Sequence, residues 1–392
     1  MIMKRISLFW TLIFSVIVAN AQWQHTNLDS NSVTAVSVQC IIINGSNIFA
    51  GTNAGVFLSS DNGSNWRAVN NGLTNTAYVT AFTINSGIIF AGMYGNGIFY
   101  SSNNGGKWAS ANTGLTNYNV QALITKGDTI FAGTYSGSGV YMSANNGSNW
   151  VAAKTGLTDT LVNALAFKGD TLLAGTDNGI YTSLNKGIQW SLDTGNIQVN
   201  AFAVNGNNIF AGTSSGVYLY SSNETKWTAI NNSLADTYIS ALTISGNNIL
   251  SGSGDGIYIS SNNGSAWIAS NTGLLNSDVL ALAANGTYVF AGTMGGGVWR
   301  LPLNEMGLKE INNESHIVVY PNPASGKIKV ISNQLSVNSV EIYNLIGEII
   351  YSLLLSDNLS PITINLADLP DGLYILKIKT EKGIAVSKFV KE

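Results

Sequence analysis

One short phrase occurs seven times along this chain, at a spacing of about forty residues. It reads Phe49-Ala50-Gly51-Thr52, Phe90-Ala91-Gly92-Met93, Phe131-Ala132-Gly133-Thr134, Leu173-Ala174-Gly175-Thr176, Phe210-Ala211-Gly212-Thr213, Leu250-Ser251-Gly252-Ser253 and Phe290-Ala291-Gly292-Thr293. A Val or Ile stands eleven residues before each copy, at Val38, Val79, Val120, Val162, Val199, Ile239 and Val279. A fixed period of this length means one supersecondary unit stacked many times, because a single copy cannot bury its own apolar face.

Each unit reads as four strands. Two residues after the Val or Ile comes a small side chain, Cys40, Ala81, Ala122, Ala164, Ala201, Ala241 or Ala281, as the crowded innermost strand of a tapering blade requires. The repeated phrase is the second strand. A third, rich in β-branched and aromatic residues, follows the Gly-Thr turn, as in Gly55-Val56-Phe57-Leu58. The fourth opens with a Trp, at Trp23, Trp66, Trp108, Trp150, Trp190, Trp227 and Trp267. The period and the strand pattern predict a seven-bladed β-propeller over residues 22–303. The last repeat stops after its third strand and the first Trp precedes the first repeat, so the segment Trp23 to Asn27 is expected to supply the missing strand and remove two open edges.

Between the third and fourth strands runs Ser59-Ser60-Asp61-Asn62-Gly63-Ser64-Asn65-Trp66, with counterparts ending at Trp108, Trp150, Trp190 and Trp267. This resembles the Asp-box, or BNR repeat, of sialidases and of many other propellers. Asp61 becomes Asn103, Asn145, Asn185 and Asn262, and the fifth unit reads as a shortened form, Ser221 to Trp227, lacking the Gly. A structural turn is expected: Asp or Asn accepts amide hydrogens, Gly takes positive φ and Trp packs on the sheet. Each such loop offers at most one carboxylate, too few for a calcium site, and no metal or cofactor is expected.

The ends of the chain address it. Lys4 and Arg5 precede an apolar run from Ile6 to Val18, then Ala19-Asn20-Ala21, the pattern of a secretory signal occupying residues 1–21. The run is too short for a confident membrane span. The single Cys40 falls at a small-residue position of an inner strand, so a buried, inert thiol is expected. Composition shifts near residue 304. Residues 22–303 carry eleven acidic and eight basic side chains, and the 89 residues from Asn304 carry ten and eight. Residues 304–316 read as a linker, and about seven short β patterns in residues 317–392 as a small Ig-like sandwich.

That last segment carries three ordered motifs. Val319-Tyr320-Pro321-Asn322-Pro323 opens it, Val340-Glu341-Ile342-Tyr343-Asn344-Leu345-Ile346-Gly347 lies in the middle, and Leu369-Pro370-Asp371-Gly372-Leu373-Tyr374 precedes a terminal Lys388-Phe389-Val390-Lys391. Together they resemble the type A C-terminal sorting domain of the Bacteroidetes type IX secretion system. The resemblance marks Tyr320, Pro321, Asn322, Pro323, Gly347, Gly372 and Tyr374 as sorting-motif residues. It implies type IX machinery as partner and export to the surface or medium, with attachment to outer-membrane lipopolysaccharide after tail cleavage as one fate.

Catalytic signals are sparse. A sialidase needs an Arg cluster, yet beyond the signal segment the chain holds only Arg67 and Arg300. A glycosidase using an Asp pair remains open, although Asp128 and Asp170 sit in Gly-Asp-Thr turns. There is no His cluster, nucleophile elbow or phosphate loop. The slightly acidic balance argues against nucleic acid. Binding or scaffolding, with a glycan or protein ligand, fits better. The second-to-third connections and the interblade connections should emerge on one face, carrying Tyr94, Tyr135, Asp177 and Asp255 in the first class and Tyr78, Tyr118, Tyr238 and Asp278 in the second. Aromatic planes with scattered polar groups suit glycans or extended peptides. The repeats also resemble assembly factors of the photosystem II type and propeller sensor domains. Asp128-Thr129-Ile130, Asp159-Thr160-Leu161 and Asp170-Thr171-Leu172 resemble an O-glycosylation sequon of exported Bacteroidetes proteins.

Overall fold

The computed structural model describes residues 22–28, 36–74, 77–221, 226–303, 317–332, 337–344, 349–355, 361–380 and 383–392. The expected signal segment, the expected linker and Gly347 lie outside them. The chain divides into two compact units whose boundary falls at the last of the repeated sheets. All regular structure among the described residues is β, apart from a lone 3-10 turn at Leu303.

Residues 24–302 form seven four-stranded antiparallel sheets. The first contains Val38–Asn44, Asn47–Thr52, Gly55–Ser59 and Arg67–Ala68 in that order, and the next five repeat it. The seventh takes its first three strands from Val279–Ala284, Tyr288–Thr293 and Val298–Pro302 and its outer strand from Gln24–His25. There Gln24 faces Arg300 and His25 faces Trp299. The Gln24–His25 strand thereby covers the edge that the seventh repeat leaves open.

The repeated phrase now has a physical reading at each position. Its strand is sandwiched between neighbouring sheets, so its last five residues are buried in every copy. Phe49, Phe90, Phe131, Phe210 and Phe290 are at most 1% exposed. The Gly is needed for close approach rather than for a special φ. A Cβ at Gly51, Gly92, Gly133, Gly175, Gly212 or Gly252 would lie 2.6–2.7 Å from the Val or Ile that opens the next sheet. At Gly292 it would lie 2.5 Å from Val38 of the first sheet, which closes the series. The terminal Thr satisfies the following turn: Thr52 Oγ1 donates to Gly55 O at 2.8 Å and Thr213 Oγ1 to Gly216 O at 2.8 Å.

Successive sheets are latched by the tryptophans. The main-chain N–H of Trp108, Trp150 and Trp190 donates to Asn71, Thr113 and Thr155 O, each at 2.8 Å. Their indole Nε1 donates to Val69, Ala111 and Ala153 O at 2.7–2.8 Å. Trp23 makes the same two bonds to Thr272 O and Ser270 O of the sixth sheet, at 2.8 and 2.7 Å. These tryptophans and Trp267 are 2–3% exposed, whereas Trp66 and Trp227 are only partly buried. Burial of the tryptophans is therefore less complete at these two positions than at the other five. Cys40 is partly exposed as a residue, but its sulfur is buried: the thiol donates to Val79 O at 3.8 Å, and burial pushes its pKa up.

The hairpin before Trp66, Trp108, Trp150, Trp190 and Trp267 is a side-chain-stapled turn. Ser59 Oγ donates to Asp61 Oδ1 at 2.8 Å and accepts the Gly63 N–H at 2.9 Å, while Asp61 Oδ1 accepts the Asn65 N–H at 2.8 Å. Asn145 makes the same bonds to Ser143 and Asn149 at 2.8 and 3.0 Å. One Oδ1 suffices, which explains why Asn replaces Asp in four copies. The side chain of Asn65 also donates to Asp61, and this bond leads the effects that hold the Asp61 carboxyl below the usual range. That contribution is present above the unfolded-state pKa and is lost as pH falls through the lowered folded-state value. Asp61→Asn is therefore expected to change neutral-pH stability by less than about 0.5 kcal/mol and to flatten the acid limb of an unfolding titration.

The fifth hairpin corrects the sequence reading. Ile209 pairs with Tyr220 as Ile48 pairs with Ser59, so Tyr220 occupies the Ser position and the hairpin has full length. It is substituted, not shortened.

In the C-terminal unit, Ile317–Tyr320, Lys327–Ser332 and Ile362–Asn365 form a three-stranded sheet, and Ile349–Leu354, Val337–Tyr343, Gly372–Thr380 and Gly383–Lys391 a four-stranded one. Ile328, Val330 and Ile364 from the first share one core with Val340, Ile342, Leu376 and Phe389 from the second. The alternating burial of Ile362–Asn365 shows the one-sided packing of such strands.

Candidate functional site

The connections between second and third strands and those entering each sheet lie together, as their alternation demands. Within single repeats the N–H of Asn53, Tyr94, Tyr135, Ser214 and Met294 donates to Ser37, Tyr78, Asn119, Gln198 and Asp278 O, at 2.9–3.1 Å. All eight loop residues expected to bind ligand therefore sit on one face, but they do not form one site. Tyr78 and Tyr94 meet edge to face at 6.3 Å between centroids. They line an opening of about 540 Å³ together with Gln39, Thr80 and Gln121. Partial burial, followed by the nearby Cys40, raises the Tyr78 pKa, so the phenol keeps its proton as a donor.

Tyr118, Tyr135 and Tyr238 are 49%, 37% and 50% exposed and lie outside that opening. Asp177 serves a connection through its carboxylate, Asp255 and Asp278 through their main-chain N–H groups. Asp177 Oδ1 accepts from Asn163 Nδ2 at 2.8 Å and Gln198 Nε2 at 3.2 Å. The Asp255 N–H donates to Asp236 Oδ2 at 3.3 Å, and the Asp278 N–H to Asn276 Oδ1 at 3.1 Å.

Sequence reasoning missed a series of residues just inside the loops. In six inner strands the register shifts between the opening Val or Ile and the small residue two places on. The residue left over is a β-bulge, and it is polar each time: Gln39, Thr80, Gln121, Asn163, Asn200 or Ser240. Several bind the next sheet. Thr80 Oγ1 donates to Val120 O, Asn200 Nδ2 to Ile239 O at 2.9 Å and Ser240 Oγ to Val279 O at 2.6 Å. Gln121 departs from this pattern: its Oε1 is buried without a hydrogen-bond partner, beside the Tyr78 and Tyr94 opening. A polar residue recurring between Val or Ile and Ala was the available signal.

The sorting motifs also converge. Asn322 Oδ1 accepts the Val390 N–H at 2.9 Å, and Ala324 N–H donates to Val390 O at 2.8 Å. Lys391, 9% exposed, donates to Asp371 Oδ1 at 3.0 Å. Tyr374 donates to Pro370 O at 2.7 Å and stacks on Phe389 at 5.5 Å. The first and third motifs thus clasp the terminal strand; Tyr320 stays 40% exposed.

Among the described residues no group of three or more His, Cys, Asp or Glu is placed to hold a metal ion, and no helix is long and apolar enough to cross a membrane.

Comparison with solved structures shows the class of fold. The WD40 β-propeller domain of Doa1 matches with TM-score 0.55 and 13% identity, over 69% of this chain and 94% of that one. YCF48 from Cyanidioschyzon merolae matches at 0.57 and 16%, over 73% and 100%. The extracellular domain of BT4673 from B. thetaiotaomicron, described as a one component system, matches at 0.61 and 16%, over 93% of this chain but 52% of that one. The chain therefore spans about half the length of that protein's solved domain. The fold is all-β and propeller-like. Residues 318–392 match the family described as the secretion system C-terminal sorting domain. The tail is the type IX sorting domain its motifs implied, and marks the chain for export to the cell surface or medium. No curated protein matches the chain.

Proposed function

We propose that this protein is an exported seven-bladed β-propeller that captures a glycan at the mouth of its axial funnel and performs no chemistry on it. The carrying observation is the 540 Å³ opening in which the Tyr78 and Tyr94 rings stand beside the unpartnered Gln121 Oε1. Exposed ring faces pack on the C–H faces of sugars, and amide and hydroxyl groups from Gln39, Thr80 and Gln121 supply neutral hydrogen bonds. The Asp177 and Asp236 carboxylates on this face are taken up in connections between strands, which leaves fewer carboxylates for paired chemistry and supports binding over hydrolysis. The Ig-like tail delivers the propeller through the type IX machinery, and the propeller then works outside the cell.

The test is a glycan-array screen of the full chain, with a hydrolysis assay on any captured polysaccharide. Capture without cleavage is expected. Replacing Tyr78 and Tyr94 together by Ala should weaken capture by about tenfold or more while leaving the melting temperature near that of the parent. Unaltered capture would remove the funnel from consideration, and cleavage of the captured glycan would reinstate an Asp-pair enzyme.

A further inference from the structure

One seam between neighbouring sheets is built differently from the others. Twelve residues separate Trp108 from Val120, Trp150 from Val162, Trp227 from Ile239 and Trp267 from Val279, but only nine separate Trp190 from Val199. The short connection lacks the turn on which the next Trp seats. Instead the outer strand of the fourth sheet continues through Ser191–Gly195, with Thr194 facing Ile180 and Gly195 facing Gly179. Trp227 therefore reaches the fourth sheet through a side chain instead of a main-chain carbonyl: its indole Nε1 donates to Asp193 Oδ2 at 2.7 Å.

The substituted fifth hairpin adds to this. A tyrosine cannot occupy the buried slot that Ser59 and its counterparts fill, so the Tyr220 ring lies against Trp227, 5.5 Å between centroids, with the Lys168 ammonium 4.4 Å from its own centroid. The result is a groove of about 470 Å³ lined by Lys168, Thr182, Asp193, Asn207, Tyr220 and Trp227 among others. Lys168 and Asn207 flank the turns between first and second strands of the fourth and fifth sheets, so the groove opens on the face opposite the funnel.

We propose that this groove is a second carbohydrate site, seating one pyranose ring of a neutral glycan on the Trp227 indole. The lining selects the ligand class. The partly buried Trp227 indole offers an apolar platform for sugar C–H groups, with the Tyr220 ring beside it capped by Lys168. Asp193 accepts from hydroxyls, Asn207 and Thr182 accept or donate, and Lys168 donates. An anionic ligand such as a phosphate would meet the Asp193 carboxylate with one ammonium to offset it, and that ammonium already lies over Tyr220. A purely apolar ligand would strand five polar side chains, Thr171 among them. The site stands on its own residues and does not depend on the funnel reading.

The full chain should be titrated with soluble glucan, mannan and xylan oligosaccharides, followed by indole fluorescence and ligand-observed NMR. Saturable binding to at least one is expected, weakened about tenfold or more by Trp227→Ala and much less by Trp227→Phe. Trp227 is only partly buried and its indole bonds a side chain, that of Asp193, so Trp227→Ala should fold; should it fail to, Asn207→Trp, which fills the groove from an exposed turn, must abolish the binding. Binding that persists in the Tyr78→Ala, Tyr94→Ala variant and falls with Trp227→Ala belongs to the seam. Binding unchanged by Trp227→Ala, or no saturable binding to any of the three oligosaccharide types, overturns the proposal.

Discussion

Trp23→Ala is expected to lower the melting temperature by on the order of 10 °C, from a stability loss of about 3–5 kcal/mol. Trp23 is 2% exposed, and its loss removes the indole bond to Ser270 O as well as the apolar burial. More depends on it than on the other latches, because it holds the one strand that arrives from the far end of the sequence. With that strand loosened, Thr26 loses its two bonds to Val298 O, at 2.9 Å from its N–H and 2.6 Å from its hydroxyl. The Arg300 guanidinium, which reaches Asn62 O at 2.6 Å and Ser64 Oγ at 3.1 Å, loses its support from Gln24. Deleting residues 22–28 should therefore exceed the effect of the point variant. The half-buried Trp66 supplies the internal comparison, since Trp66→Ala should cost less than Trp23→Ala. A melting temperature unmoved by either N-terminal change would mean that the pairing of Gln24–His25 with the seventh sheet does not hold the ring shut.

Much of this architecture could be read before any coordinates. The period, the four strands per repeat, the small residue two places after each Val or Ile and the vacancy filled by Trp23 to Asn27 all follow from spacing and from the need to cover edges. The first and third tail motifs were legible for a different reason: they bring Asn322, Asp371, Tyr374 and the terminal strand into one cluster, so their order along the chain records a tertiary contact. What failed depended on register. Ser221 looked like the start of the fifth hairpin because Ser opens the other five, yet the pairing of Ile209 puts Tyr220 there. The nine-residue connection after Trp190 was countable, but its consequence, an outer strand running on to Gly195 and a Trp whose indole reaches the Asp193 side chain, needs the pairing as well. The loop aromatics were legible in place and not in direction. Repeats dictate where a loop leaves a sheet and say nothing of where its side chain points, so of five tyrosines on that face only Tyr78 and Tyr94 meet in one opening. The polar bulge positions, such as Gln121, were passed over because they lie within a strand.

Gly133→Ala is expected to destabilise the protein by about 1–3 kcal/mol, against the usual benefit of such a change. Gly133 has no left-handed backbone to preserve, since a Cβ there meets a steric limit with no positive φ attached, and alanine in ordinary strand geometry would by itself stabilise by about 0.4–1 kcal/mol through the unfolded chain. The opposing effect is contact. The added methyl would lie 2.6 Å from Val162 Cγ1 and 3.3 Å from the Ala122 methyl, and Val162 is fully buried with no free space into which to turn. The sheets would have to part at the point where their inner strands converge. A double-mutant cycle separates this clash from any general intolerance of the strand. Val162→Ala alone leaves a cavity and should also destabilise, but it removes the colliding Cγ1, so the double variant should be more stable than the sum of the single effects predicts by about 1 kcal/mol or more. Strict additivity in urea unfolding would mean that the repeated glycine is not there for the neighbouring sheet, and the explanation of the phrase that recurs seven times would have to be sought within its own strand.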